Sequence, residues 1–549
     1  MIKSVLNKLN KMHINNLEGF MLKLLRNFSK KEWLMVFVCF ILIFSQVWLE
    51  LKMPDYMSKI TTLVETDGSE MKDILENGFY MLLCAFGSLI TAIIVGYLVS
   101  FIASNFSLKV RKKIFNKVED LSMSEIKQFK VNSLITRTTN DVTQIEMLIG
   151  MGLQLLIKAP ITAIWAITKI IDKSYEWSLI TAIAVVILLT VIGILTAIVV
   201  PKFKIVQKLT DKINGVTREN LNGIRVIRAF NAVDYQENKF EEVNNTLTKQ
   251  QTFNQKAFAV LSPVMYLVLY FLTLSIYFIG AYLIKDAELV NKLPIFSDMI
   301  VFSSYAMQVI MSFLMLAMIF MILPRASVSA KRINEVLDTK ISIKSGTIDY
   351  DTTDLKGVVE FDDVSFKYPD AEEYLINHIS FKANKGETVA FIGSTGSGKS
   401  TLINLVPRFY DATEGTVKID GVDVKKLKLE YLHNKIGYVP QKAVMFSGTV
   451  KSNIMYGDNG TNKTEEIVKE AIKVAQAEEF VLKMDKKYDS HIAQSGTNVS
   501  GGQKQRLSIA RAIARQPEIY IFDDSFSALD YKTDSVLRKE LKIAKNIPK

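Results

Sequence analysis

Residues Gly393 to Thr401, GSTGSGKST, have the types and the spacing of a phosphate cradle. They follow the apolar run TVAFI, Thr388 to Ile392, and precede LINLVPRF, whose spacing predicts a helix. Gly393, Gly396 and Gly398 carry no Cβ to keep backbone amides from phosphate oxygens, and the helix that follows offers its positive end. Ser394, Thr395 and Ser397 complete the loop; Lys399 is expected on the β and γ phosphates and Ser400 on Mg²⁺. A second apolar run, IYIF, ends at Asp523, a carboxylate leaving a strand where it can anchor the same cation. Between the two stands VSGGQKQRLSIARAIARQP, in which Ser500 is expected to cap a helix, two glycines to bare its first amides, and Pro517 to mark its end. A helix start with bare amides is an anion site. Taken together, these residues indicate the handling of a nucleoside triphosphate with Mg²⁺.

The elements that must position them come in two kinds. From Val358 onward, short apolar runs (VVEFDDVSF, ISFKA, ETVAFIG, GTVKI, KIGYVP, EIYIFDD) alternate with helical segments, which predicts an α/β layered domain. Upstream, six windows with little or no charge run from Trp33 to Leu49, Asn77 to Leu108, Met147 to Ile171, Trp177 to Val200, Ala257 to Ile284 and Met299 to Pro324. About 20 apolar residues cross hydrocarbon as a helix, so each window is a membrane span. The chain of 549 residues is roughly three to four times the usual domain length, and its mean hydropathy of +0.19 is high for 22% charged residues. Segregation of the apolar residues explains it.

Lys plus Arg is 67 against Asp plus Glu 56, and the excess is concentrated between windows two and three and between four and five. The positive-inside rule places those two long loops and both termini in the cytoplasm. Basic charge held in juxtamembrane loops argues against a nucleic-acid partner. Cys39 and Cys84 both sit in apolar runs, which excludes a disulfide scaffold. The expected organisation is a cytoplasmic lead and interfacial elbow helix over 1–32, a six-span membrane domain over 33–325, a linker over 326–356, and a nucleotide-binding domain over 357–549. Residues 1–20 carry no cleavage site and are not a removable signal peptide.

GSTGSGKST, YVPQ, VSGGQ and FDDSFSALD together resemble the ATP-binding cassette superfamily, and six spans ahead of one cassette resemble a half-transporter of the type IV (type I exporter) class. The resemblance implies that Tyr368, in SFKYP, stacks on adenine; the alternative is a strand tyrosine packed in a sheet. It further implies that Gln441 touches Mg²⁺ and the γ phosphate, and that Ser500, Gly501, Gly502 and Gln503 bind the γ phosphate of ATP held by a second cassette. Ser527 to Asp530 would cross the cassette dimer, and Ser133 to Val142 and Ala229 to Asn238 would be the coupling helices.

Two departures from the family's pattern carry weight. Asp524 stands where the family has the glutamate that polarises the attacking water, and an aspartate is one methylene shorter. A shortfall of about an ångström in a positioning-dependent step costs roughly a hundredfold. The family's switch histidine would follow Asp523, whereas His13, His378, His433 and His491 all precede it, so the cassette is expected to be truncated at its C-terminus. An intact signature beside a weakened catalytic position is similar to the degenerate-site subunit of bacterial heterodimeric multidrug-type exporters.

The expected function is therefore a subunit of an ATP-driven exporter of amphipathic or hydrophobic compounds in the plasma membrane, paired with a second half-transporter that is different rather than identical. The alternatives are an ATP-binding membrane sensor with little hydrolysis of its own, or an exporter of a peptide. Met307, Met311, Met315 and Met318 share one helical face that suits promiscuous apolar binding, although for a bare stripe lipid-facing or interhelical packing is the more common role. Lys158, midway along the third window, is expected to face protein or a wet cavity.

Overall fold

Long apolar stretches with little charge leave the backbone one way to satisfy its hydrogen bonds in hydrocarbon, and the chain's first half is accordingly helical. The computed structural model describes Gly19, Met21 and residues 23–66, 68–171, 174–457 and 464–544. Most of the expected lead over 1–20 and the last five residues lie outside the described residues. Two units are present, one of residues 1–116 and 134–338 and one of residues 117–133 and 339–549.

The first 338 residues hold α1 (Lys30–Glu65), α2 (Met71–Asp120), α3 (Met123–Gln128), α4 (Val131–Thr138), α5 (Asn140–Met147), α6 (Leu153–Ile171), α7 (Tyr175–Ala229), α8 (Val233–Asp286) and α9 (Leu289–Asp338). A π-helical turn, Leu148–Gly152, joins α5 to α6. Six of the described segments are long and apolar enough to cross a membrane, in agreement with the six windows. At 1.5 Å per residue, the 55 residues of α7 and 54 of α8 exceed twice a hydrocarbon core of about 30 Å, so the basic loops are continuations of spans. Ser29 starts α1 with a capping box: its N–H donates to Glu32 Oε2 at 2.7 Å, and the Glu32 N–H donates back to Ser29 Oγ at 3.4 Å.

Polar contacts tie the helices of this unit together. Lys158 Nζ of α6 donates to Glu50 Oε1 of α1 at 2.8 Å, where Gln46 Nε2 and Ser88 Oγ also donate. The intramembrane lysine is thus paired with a neighbouring helix, as its cost in hydrocarbon requires. One turn further, Asp55 accepts from Tyr305 Oη at 2.6 Å and from Lys169 Nζ at 2.9 Å, which joins α1, α6 and α9. Gly280 permits close approach of α8 and α9, since a Cβ there would overlap Met299 Sδ. On the methionine face of α9, Met307, Met311 and Met318 are exposed.

In the second unit, β1 (Val359–Phe366), β2 (Ile376–Ala383), β3 (Glu414–Ile419) and β4 (Val422–Asp423) form an antiparallel sheet in the order β2-β1-β3-β4. Val359 faces Ala383 on one side and Ile419 on the other. β5 (Ile436–Val439) pairs in parallel with β8 (Ile519–Phe522), from Ile436 opposite Ile519 to Val439 opposite Phe522; the two-residue strands β6 (Gly448–Thr449) and β7 (His491–Ile492) pair antiparallel. Phe361, Val364, Leu405 and Leu432 fill the core beside the antiparallel sheet, and Leu507, Ile509 and Ala510 centre a second, helical core.

One expected strand is absent from these ladders. TVAFI leaves β2 through the turn at Gly386 (φ +81°) and forms none of the described strands, with Val389 43% and Ile392 95% exposed. An apolar run states a preference for burial but does not name a pairing partner; among the described strands, β5 and β8 pair in parallel.

A buried lysine fastens the linker to this unit. Lys435 Nζ donates to Asp420 Oδ2 at 2.7 Å, Asp351 Oδ1 at 2.7 Å and Glu518 Oε2 at 3.2 Å, while Val358 N–H donates to Asp420 Oδ1 at 2.9 Å. Burial works against the ammonium charge, but the carboxylates of Asp351 and Asp420 outweigh it and hold the lysine above its usual range.

Candidate functional site

The phosphate loop forms between the run TVAFI and a short helix, α10 (Lys399–Asn404). Gly396 (φ +87°) and Gly398 (φ +89°) adopt backbone angles that L side chains rarely take, and a Cβ on Gly398 would press on Ile376 at 3.3 Å. Those two angles turn the loop back over the helix start. Lys399 Nζ donates to the carbonyls of Gly393 at 2.9 Å and Ser394 at 2.7 Å, so the ammonium is held across the loop mouth. Residues 393–397 are exposed, with the Thr395 and Ser397 positions open to a ligand.

The hard oxygen ligands converge. Ser400 Oγ donates to Asp523 Oδ1 at 2.7 Å, and Asp523 N–H donates to the carbonyl of Val439 at 2.9 Å, which fixes the end of β8 against β5. Gln441 Nε2 donates to Asp524 Oδ2 at 3.4 Å. Asp524 lies at φ +47°, a left-handed conformation that aspartate tolerates better than most residues. Burial, together with the Asp523 charge, pushes the phenol of neighbouring Tyr438 up to about 12, so it stays neutral. A hydroxyl, a carboxylate and an amide oxygen suit Mg²⁺, which binds through one or two protein oxygens plus substrate phosphates. Among the described residues no group of three or more His, Cys, Asp or Glu is placed to hold a metal ion.

Tyr368 lies beside the loop: its hydroxyl and Thr401 Oγ1 share a hydrogen bond of 2.9 Å, and Phe366 and Tyr410 meet its ring edge-on at 5.1 and 5.3 Å. Lys127 Nζ stands 4.8 Å from the same ring's centre. The sequence reading missed this lysine.

Ser500 caps α11 (Gly501–Ala514) with a box of its own: Ser500 N–H donates to Gln503 Oε1 at 2.9 Å, and Gln503 N–H donates to Ser500 Oγ at 3.3 Å. A Cβ on Gly501 would meet nothing within 4 Å, so this helix start is open; one on Gly502 would approach the Ala528 carbonyl at 3.1 Å. The signature turn therefore packs on the SALD segment.

Ser133 to Val142, expected as a coupling helix, falls almost wholly in α4 and α5 of the first unit, where Asp141 accepts from Ser329 Oγ at 3.0 Å. The segment grouped with the second unit is α3, with Ser122 and Glu125 forming its capping box.

Comparison with known proteins gives a consistent picture. The family model described as ABC transporter matches residues 376–527, and that described as ABC transporter transmembrane region matches 36–333. An uncharacterized ABC transporter ATP-binding protein of Mycobacterium bovis is 36% identical over 501 residues, covering 89% of this chain and 83% of its own. Another, from Bacillus subtilis, is 34% identical over 516 residues (93% and 87%). An ATP-dependent lipid A-core flippase of Pseudomonas fluorescens is 30% identical over 436 residues (79% and 70%). In fold, the chain is similar to a bacterial Atm1-family ABC exporter with ATP bound, at a TM-score of 0.77 and 20% identity over 94% of this chain and 89% of that one.

Proposed function

The chain belongs to the ABC transporter family, as a half-transporter with six apolar helices ahead of one ATP-binding cassette in the plasma membrane, and we propose that it is the weakly hydrolysing subunit of a heterodimeric exporter of amphipathic or hydrophobic compounds. The observation that carries the reading is Asp524, beside an intact signature turn, in the place of the family's catalytic glutamate. ATP held on Gly393 to Thr401 would be met by Lys399 at its phosphates and by Tyr368 at its base. Ser400, Asp523 and Gln441 would hold Mg²⁺, which supplies charge neutralisation at the phosphates when bound. The shorter side chain of Asp524, drawn toward Gln441, places its carboxylate poorly to orient an attacking water.

Ser500, Gly501, Gly502 and Gln503 would complete the faster site on the partner's nucleotide. Exposed Met307, Met311 and Met318, and a relative named for flipping lipid A-core, support a lipid-like or apolar substrate. The boundaries 1–32, 33–325, 326–356 and 357–549 are retained as the working domain division.

Titration of the detergent-solubilised chain with a fluorescent ATP analogue tests the binding site. A charge-assisted hydrogen bond contributes about 1.5–3 kcal/mol, so Lys399→Ala is expected to weaken binding about ten- to a hundredfold. Unchanged affinity would place the nucleotide elsewhere.

A further inference from the structure

α3 is a six-residue helix in the sequence between α2 and α4, and it belongs to the cassette unit. It is held there firmly. Glu125 is 6% exposed, and Ser122 Oγ shares a hydrogen bond of 3.1 Å with Ser342 Oγ of the linker. Burial alone would raise the Glu125 carboxyl, but hydrogen bonds from Ser342 and Ser122 outweigh it and keep it ionised. With its helix anchored, exposed Lys127 projects onto two aromatic rings: its Nζ lies 4.8 Å from the centre of Tyr368 and 5.5 Å from that of Tyr410. Tyr410 is 7% exposed and Tyr368 is tied to Thr401, so neither ring is free to turn away. A hydrogen bond to the Tyr410 hydroxyl raises the Lys127 pKa and preserves its charge.

A base that stacks on Tyr368 needs an electron-rich ring face, and the Lys127 ammonium over the ring occupies one of its two faces. We propose that Lys127 is a positioning residue that competes with the nucleotide base for the face of Tyr368. Occupancy of the ring by the base then displaces Lys127, and displacement of α3 favours the base, because the two effects are reciprocal by linkage. One loop between membrane helices thereby reads whether a base is bound. This rests on the reading of Gly393 to Thr401 and Tyr368 as the ATP site.

The test compares a ligand that has a base with one that lacks it. ATP and inorganic triphosphate are each used to displace a fluorescent ATP analogue from the full chain in detergent, for wild type, Lys127→Met and Lys127→Arg. A cation over an aromatic face contributes on a scale that predicts ATP binding about three- to tenfold tighter in Lys127→Met, with triphosphate changed by less than about twofold. Lys127→Arg keeps a cation on the ring and should match wild type. Unaltered or weakened ATP binding in Lys127→Met, an equal shift for triphosphate, or tightening in Lys127→Arg as well would overturn the inference. Failure of the wild type to bind either ligand would instead overturn the ATP-site reading, and this inference with it.

Discussion

Ser500→Arg should abolish most of the ATPase activity of the assembled transporter, by about a hundredfold or more, while Asp524→Asn changes it little. The open start of α11 leaves room for a phosphate to approach the bare amides of Gly501 and Gly502. A guanidinium in place of the Ser500 hydroxyl breaks the capping box with Gln503 and fills that space. Loss of precise positioning at a transferring phosphoryl group costs on this scale. Asp524→Asn, by contrast, alters a position that under the proposed function is already short of its water. Both variants, co-expressed with the partner half-transporter, would be compared by steady-state ATPase in the same lipid and with the same substrate. Equal damage would mean that Asp524 is a working base and that the two sites are equivalent.

Lys435→Met should destabilise the cassette unit more than any other single change considered. Lys435 is 7% exposed and Asp420 6%, and removing the cation leaves a buried carboxylate with only the Val358 N–H. Breaking a buried pair from one side costs about 3–5 kcal/mol. Hydrogen exchange of the detergent-solubilised chain should show protection over residues 348–358 and 436–439 falling by about a hundredfold or more. Adding Asp420→Asn should recover much of the loss, because asparagine removes the stranded charge, still accepts from Val358 and tolerates the left-handed backbone at this position (φ +52°). No recovery in the double variant would show that Lys435 acts by packing rather than by charge.

What could be read from the sequence was local. The spacing of Gly393 to Thr401, the carboxylate ending IYIF at Asp523 and the Ser500 cap are short-range patterns whose geometry follows from a few consecutive residues. The structure brings Ser400 and Asp523 to 2.7 Å and forms the Ser500 box as that spacing requires. The six spans were legible because length and apolarity are sufficient for them.

The features that escaped depend on partners distant in sequence. Lys127 over Tyr368, and Lys435 between Asp351, Asp420 and Glu518, are juxtapositions that no local period encodes. The apolar pattern of TVAFI is that of a strand, yet it forms none of the described strands. Grouping of α3 with the cassette unit is likewise a tertiary fact that the spacing of Ser122 and Glu125 does not encode.

The measurement that bears most directly on a weakly hydrolysing, ATP-binding subunit is ATP turnover by the purified chain without any partner, made alongside nucleotide binding in the same preparation. The account predicts that ATP binds and that turnover stays below about 0.1 per second, at least tenfold under the low end of usual enzyme rates of about 1 to 10 per second. Turnover of about 1 to 10 per second by the chain alone would contradict it.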